Sequence, residues 1–278
     1  MKLKEKIYYH LSESIFLQRT TTASNNPRPQ KKLFLYFDYE REFSGYKTTI
    51  TNQDVFQLID SLERRYLKGT WFTVGKVVEK YFPTVEYLLE KGHELGSHTF
   101  SHISPYEISD EDLLKDLEYY EETKKKYKLS VHGFHSPKDR WNLSMFGYLK
   151  QHGYCYDIFP PKQKKNFLGK KFQKFSMHKI QRLTTLGDDW VLYDQKKSRA
   201  EIFEYFKSLY QQISPGEIRG IGAHPWVLYS DENILLGYQD FLDFLTHQND
   251  VEVKTALSFV RELEQSDIFL PADKFRSR

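Results

Sequence analysis

From residue 31 onward, short apolar runs alternate with amphipathic stretches. Residues 33–37 (LFLYF) are an apolar run of strand length, and residues 54–66 place Val55, Leu58, Ile59 and Leu62 on one face of a helix. Residues 70–74 form a second β-rich run. Helical stretches at 76–81 and 84–91 follow, with Gly92 as the stop, and then a strand at 93–97. Ser109 followed by Asp112 is a capping signal for a helix reaching about residue 127, whose buried stripe is Leu113, Leu114, Leu117 and Tyr120. Strands at 131–134, 154–158, 219–223 and 251–253 alternate with helices at 143–152, 200–212, 234–247 and 256–264. This order predicts an α/β fold with a mostly parallel sheet, open or closed into a barrel, and helices outside.

Two stretches stand apart from this alternation. Residues 18–32 are rich in Thr, Ser, Asn and Pro and show no hydrophobic period, so residues 1–30 read as an N-terminal arm and 31–278 as one folded domain. The run PPKQKKNFLGKKFQKFSMHK, residues 160–179, is basic and aperiodic and reads as a solvated loop.

Composition narrows the partners. Of the 278 residues, 39% are hydrophobic, and none of the apolar runs approaches the roughly 18 residues of a membrane span. Lys plus Arg (41) nearly balances Asp plus Glu (38), so the chain lacks the basic footprint of a nucleic-acid binder. The first 20 residues carry charges and no continuous apolar core, so they do not read as a signal peptide, and the expected location is cytoplasmic or peripheral to the inner membrane face. A lone Cys155 excludes a cysteine-rich zinc site, so any metal would use His, Asp and Glu.

Parallel α/β folds place their chemistry at the carboxyl ends of strands. The polar residues after the predicted strands are Asp38 and Glu40, His98 and His102, His135 and Asp139, and His224. His98 and His102, at i and i+4, share one face of a helical turn and can converge on one ion, with a carboxylate as third ligand and an open position for water. Asp38 and Glu40 form an i, i+2 pair able to supply one metal oxygen and one base. His224, ahead of Pro225 and Trp226, offers a general acid.

These motifs resemble the polysaccharide deacetylase family, the NodB-homology carbohydrate N-deacetylases. They fall in the family's order over about residues 31–263: LFLYFDYE, GTWFTV, GHELGSHTFSH, GFHSP, GYCYD and HPW. The resemblance implies a distorted (β/α) barrel, usually of seven strands. It implies that Asp38 is the catalytic base, His224 the catalytic acid, and Glu40, His98 and His102 the ligands of a divalent ion, zinc first among zinc, cobalt, nickel and manganese.

The chain departs from the family pattern at two points. Tyr39 stands where the metal-binding aspartate usually follows the base, and His135 stands where an arginine usually holds it. Arg140 or Arg41 is a candidate substitute for that arginine. Asp189 matches a later Asp-Trp element, and Trp226, with Trp141 and Trp190, is a candidate sugar-facing aromatic. The implied reaction removes N-acetyl groups from an amino sugar in a poly- or oligosaccharide. Two other readings stay open: a cyclic-amide hydrolase of the allantoinase type, whose first motif also takes a Tyr-Glu form, and an inactive carbohydrate-binding protein of a polysaccharide assembly system.

Overall fold

The computed structural model describes residues 30–105, 107–160, 176–177 and 180–265. The expected arm and most of the basic loop lie outside the described residues. The chain order is β1 (Lys31–Tyr39), α1 (Asn52–Glu63), β2 (Gly69–Thr73), α2 (Gly75–Lys80), α3 (Phe82–Glu90), β3 (Glu94–Ser97), α4 (Asp110–Tyr127), β4 (Gly133–His135), α5 (Leu143–Gln151) and β5 (Tyr156–Phe159). There follow β6 (Ser176–Met177), β7 (Ile180–Gly187), α6 (Arg199–Gln211), β8 (Ile218–Ala223), α7 (Pro225–Leu228), α8 (Glu232–Thr246), β9 (Val251–Val253) and α9 (Ala256–Gln265). Helix starts follow their capping residues. Thr51 and Asp54 form a reciprocal box at α1, Ser109 accepts the Asp112 N–H at α4, and Ser198 and Glu201 repeat the box at α6.

Seven parallel strands close into a barrel in the order β1-β2-β3-β4-β5-β7-β8 and back to β1. The seven-stranded α/β barrel expected from the sequence is therefore the observed fold, but one member differs. Residues 180–187, which show no apolar run, form wall strand β7, whereas residues 251–253 lie outside the ring. There β9 pairs with Lys31–Leu33 of β1, just below the stretch Leu35–Tyr39 that β2 takes, and so fills the seam where β1 and β2 diverge. Two smaller differences concern helices: Tyr66 lies beyond α1 in a left-handed conformation (φ 54°), and Leu114 is only half-buried.

The period-2 alternation of β1 decides what faces the barrel axis. Leu33, Leu35, Phe37 and Tyr39 pack outward in the large core beneath the helices, whereas Phe34 and Tyr36 join Phe72, Tyr156, Ile158, Leu183 and Ile218 inside. Four wall glycines leave room for these rings. A Cβ at Gly96 would fall on Phe72, at Gly133 on Tyr156, at Gly220 on Phe34 and at Gly222 on Tyr36. Helix α9 closes the amino end: Ala256, Phe259, Val260 and Leu263 join the interior cluster, and the N–H groups of Ala256 and Leu257 bond Thr70 Oγ1 (2.9 Å) and Glu94 Oε2 (3.0 Å). The carboxyl end is left for the site. Among the described residues, no helix is long and apolar enough to cross a membrane.

Candidate active site

Continuing each inward column past its last packed residue gives the site. Asp38 follows Tyr36 on β1, His98 follows Gly96 on β3, His135 follows Gly133 on β4, and His224 follows Gly222 on β8. All four are buried at the carboxyl rim. The same alternation sends Tyr39 outward, where its hydroxyl meets Thr84 Oγ1 at 2.8 Å, and returns Glu40 to the rim. Position 39 faces Thr84 and Arg41 on the outer side, so in this chain the acidic side chain beside Asp38 at the rim falls two residues on.

Glu40 gathers the two histidines of the loop after β3. Its Oε1 lies 3.3 Å from His98 Nε2 and 2.9 Å from His102 Nε2, while the Trp226 indole N–H points at Oε2 from 3.3 Å. That loop differs from the helical turn expected: Thr99 (φ 62°) and His102 (φ 60°) are both left-handed, and the chain doubles back with the two imidazole centroids 5.0 Å apart. Two other segments and one bond within the loop pin it. Gly75 and Lys76 donate their N–H groups to the Thr99 and Phe100 carbonyls (3.0 Å each), and Ile103 N–H bonds Thr99 Oγ1 at 3.2 Å. The buried Asp116 carboxylate of α4 accepts the N–H groups of Phe100 (2.8 Å) and Ser101 (3.1 Å).

The donor set suits a divalent ion. His98 Nδ1 lies 2.7 Å from the His135 carbonyl, which can only accept, so that nitrogen carries the proton. Burial holds His98 below the ordinary histidine value, as a neutral ring. Its Nε2 lone pair therefore faces a carboxylate oxygen, an opposition of two acceptors that a cation would resolve. The 2.9 and 3.3 Å separations approach the spacing of about 3.3 Å between ligands held near 2.0–2.1 Å in a tetrahedral zinc site. Glu40, His98 and His102 are one of four groups of potential donors on the described rim, the others being Asp38 with His98 and His135, Asp38 with Glu40 and His224, and Asp188 with Asp189 and His224.

Asp38 and His224 complete the centre. His135 donates Nδ1–H to Asp38 Oδ1 at 2.8 Å and Nε2–H to Asp139 Oδ1 at 2.9 Å. Burial alone would lower the His135 pKa, but the charges and hydrogen bonds of Asp38 and Asp139 raise it to about 10, so the ring is a cation. Burial pushes Asp38 up in turn, and the charge and hydrogen bond of His135, with the charge of His224, bring it below the ordinary aspartate value. His135⁺ thus stands where an arginine was expected. Arg41 is committed to Asn52 Oδ1 (2.7 Å) and the Ile50 carbonyl (2.7 Å), and Arg140 gives its backbone N–H to Pro137 in the turn after β4.

His224 Nε2 lies 3.6 Å from Asp38 Oδ2 and 3.9 Å from Glu40 Oε1. Its other nitrogen donates to Asp189 Oδ1 at 2.7 Å, and its backbone N–H bonds the same carboxylate at 2.9–3.0 Å. Burial alone would lower His224; the Asp189 charge and hydrogen bond, with Glu40 and Asp188, raise it well above the ordinary value. Asp189 itself is lifted to about 6 by burial and remains ionised at neutral pH.

Aromatic rings border this side of the rim. Tyr46 stacks on Trp226 at 5.6 Å, and Trp190, 41% exposed, stacks on Tyr193 at 5.4 Å. Trp141 stands elsewhere, buried against the Arg182 guanidinium. Sequence reading had no signal for Asp116, which lies mid-helix, or for Tyr46, which follows no motif.

Fold and site together define a parallel α/β barrel with carboxylates and imidazoles gathered at one strand-end rim. Comparisons with known proteins agree. The sequence profile of the polysaccharide deacetylase family matches residues 25–156, which hold Asp38, Glu40, His98, His102 and His135. The peptidoglycan-N-acetylmuramic acid deacetylase PdaC of Bacillus subtilis is 32% identical over 116 residues, 42% of this chain and 22% of that protein. A peptidoglycan-N-acetylglucosamine deacetylase of Bacillus cereus is 30% identical over 102 residues, 35% of this chain and 46% of its own length. The matched stretch thus spans less than half of these curated relatives. A solved polysaccharide deacetylase structure from Mycobacterium smegmatis superposes with a TM-score of 0.71 at 17% identity, covering 90% of this chain and 95% of that one, and carries the fold likeness through the remaining strands. Over residues 25–156 the chain is similar to the polysaccharide deacetylase family.

Proposed function

We propose that this protein is a metal-dependent carbohydrate deacetylase, hydrolysing the acetamide of an N-acetylated amino sugar to acetate and the free amine. The observation that carries the reading is the 3.6 Å approach of His224 Nε2 to Asp38 Oδ2 beside the Glu40, His98 and His102 donors. An ionised carboxylate and a protonated imidazole face one position at which an amide carbon can sit. Glu40, His98 and His102 would hold the divalent ion, whose chemistry when bound is Lewis-acid polarisation of the amide carbonyl.

The chain's own groups account for the proton movements. Asp38, kept ionised by His135, takes a proton from the attacking water. His224, kept protonated by Asp189, gives its Nε2 proton to the departing sugar nitrogen as the C–N bond breaks. Trp226 fixes the second oxygen of Glu40 and keeps Oε1 turned to the histidines. Tyr46 and Trp190 offer rings on which a sugar can stack.

The Tyr-Glu form of the first motif, which also fits a cyclic-amide hydrolase, gains no support from Tyr39, since that side chain points away from the site. The names of the relatives make peptidoglycan fragments the first substrates to try, with chitin oligomers beside them. The test is acetate release by the zinc-loaded protein, with Asp38→Asn as control. Release by the parent and its loss in the variant are expected. No release from any N-acetylated glycan would overturn the reading.

A further inference from the structure

We propose that Asp139 is a positioning residue of this site: by accepting Nε2–H of His135 at 2.9 Å it aims the opposite Nδ1–H at Asp38. The inference rests on the reading of Asp38 as the base and extends it by one residue. An imidazole is a poorer clamp than the arginine it replaces, because it presents a single N–H on each side and loses both bonds if the ring turns over. Packing fixes the ring plane here: His135 lies edge-on to Tyr36 (centroids 5.6 Å apart, 84°) and Phe72 (5.5 Å, 65°). Packing against apolar rings does not choose between the two flipped states. A carboxylate on the Nε2 side does.

The backbone shows what is spent on that placement. Ser136-Pro137-Lys138-Asp139 is a tight turn closed by Asp139 N–H on the Ser136 carbonyl at 3.0 Å. Pro137 sets its first corner, and Lys138 (φ 57°, ψ 25°) occupies the corner at which glycine is preferred. Asp139 is left-handed as well (φ 54°), so two successive residues with side chains hold a conformation that L residues adopt at a cost. Such strain persists only where surrounding contacts enforce it and is concentrated at working sites. Lys138 is ion-paired to Glu107 on the outer side of the turn. The product of the turn is an aspartate brought back, four residues on, against the ring that holds the base.

The test compares Asp139→Gly, which suits the left-handed turn and removes the acceptor, with Asp139→Asn, which keeps an acceptor oxygen. The full-length zinc-loaded protein is assayed for acetate release from N-acetylglucosamine oligomers, and zinc affinity is measured alongside. Asp139→Gly is expected to lower kcat by about 10- to 100-fold, the usual effect of a misaimed catalytic group, with KM and zinc affinity close to the parent's. Asp139→Asn is expected to stay within about threefold of the parent, since its oxygen still meets Nε2–H. A glycine variant as active as the parent would overturn the proposal. So would a joint loss of kcat and zinc binding, which would make Asp139 a support of the loop alone, or an asparagine variant as impaired as glycine. A parent without activity, or an active Asp38→Asn variant, would instead overturn the deacetylase reading itself.

Discussion

Replacing Asp189 with asparagine should convert His224 from an acid into a bystander. The Asp189 carboxylate is fully buried and receives the His224 Nδ1–H at 2.7 Å as well as its backbone N–H. At that distance, an effective dielectric of about 20 gives an attraction of roughly 6 kcal/mol, and even half of it moves a pKa by about 2 units. Asparagine keeps one acceptor oxygen, while its NH2 would confront a backbone N–H that now finds an acceptor. With that charge gone, only Glu40 and Asp188 oppose the burial that lowers His224, and the ring shifts toward the neutral form with its proton on Nδ1 and a bare Nε2 toward the substrate.

The sign for activity follows. An acid whose pKa is raised stays protonated to high pH, so its loss of the proton sets the alkaline limb of kcat/KM. Asp189→Asn should move that limb downward by at least about 2 units and cut kcat/KM at pH 7 by about 100-fold, the lower end of a general acid's contribution. Acetate release against pH is the assay. An alkaline limb that coincides with the parent's would refute the assignment of His224 as an acid set by Asp189.

Asp116→Ala should leave the Phe100 and Ser101 N–H groups without their acceptor, costing about 1–3 kcal/mol for each such group, and should weaken zinc binding through the His98–His102 loop; denaturant melts and calorimetry check both effects. Gly222→Ala should destabilise the barrel by about 1–3 kcal/mol, because the added methyl falls on Tyr36, and thermal unfolding reads it directly. His93, held down to about 4 chiefly by burial, is neutral when folded, and its Nδ1 accepts the Gly69 N–H. The unfolded chain binds that proton near pH 6.5, so this contribution to stability is complete above pH 6.5 and is lost as pH falls toward 4, by about 3 kcal/mol. Stability of the parent and of His93→Gln should therefore converge or cross over that window, and parallel pH curves would show that His93 is not responsible.

The apolar run ending at Asp38 and the GHELGSHTFSH stretch brought Asp38, Glu40, His98 and His102 forward as strand-end polar residues, and the family resemblance supplied the roles expected of them; the left-handed loop that brings the two imidazoles together was not legible in their i, i+4 spacing. Strand β7 was not legible for a physical reason. Its outward Arg182 would argue against a wall strand, yet the structure neutralises it with Asp157 at 2.8–3.1 Å and wraps it in the rings of Trp141, Phe146 and Phe159. Residues 251–253 read correctly as a strand, but no local pattern tells a ring member from a strand that fills a seam. The exchange of an arginine for His135 was visible as a departure, while its remedy was not. That depends on a left-handed turn which carries Asp139 back to the ring, and neither Lys138 nor Asp139 announces a positive φ as a glycine would.

The most direct test of the account is a calorimetric zinc titration of metal-stripped protein, run beside Glu40→Ala, His98→Ala and His102→Ala. One tight site in the parent, lost or severely weakened in all three variants, is the predicted result. Absence of a specific site in the parent, or a site that survives these substitutions, would contradict a metal centre built on Glu40, His98 and His102 and the deacetylase chemistry that depends on it.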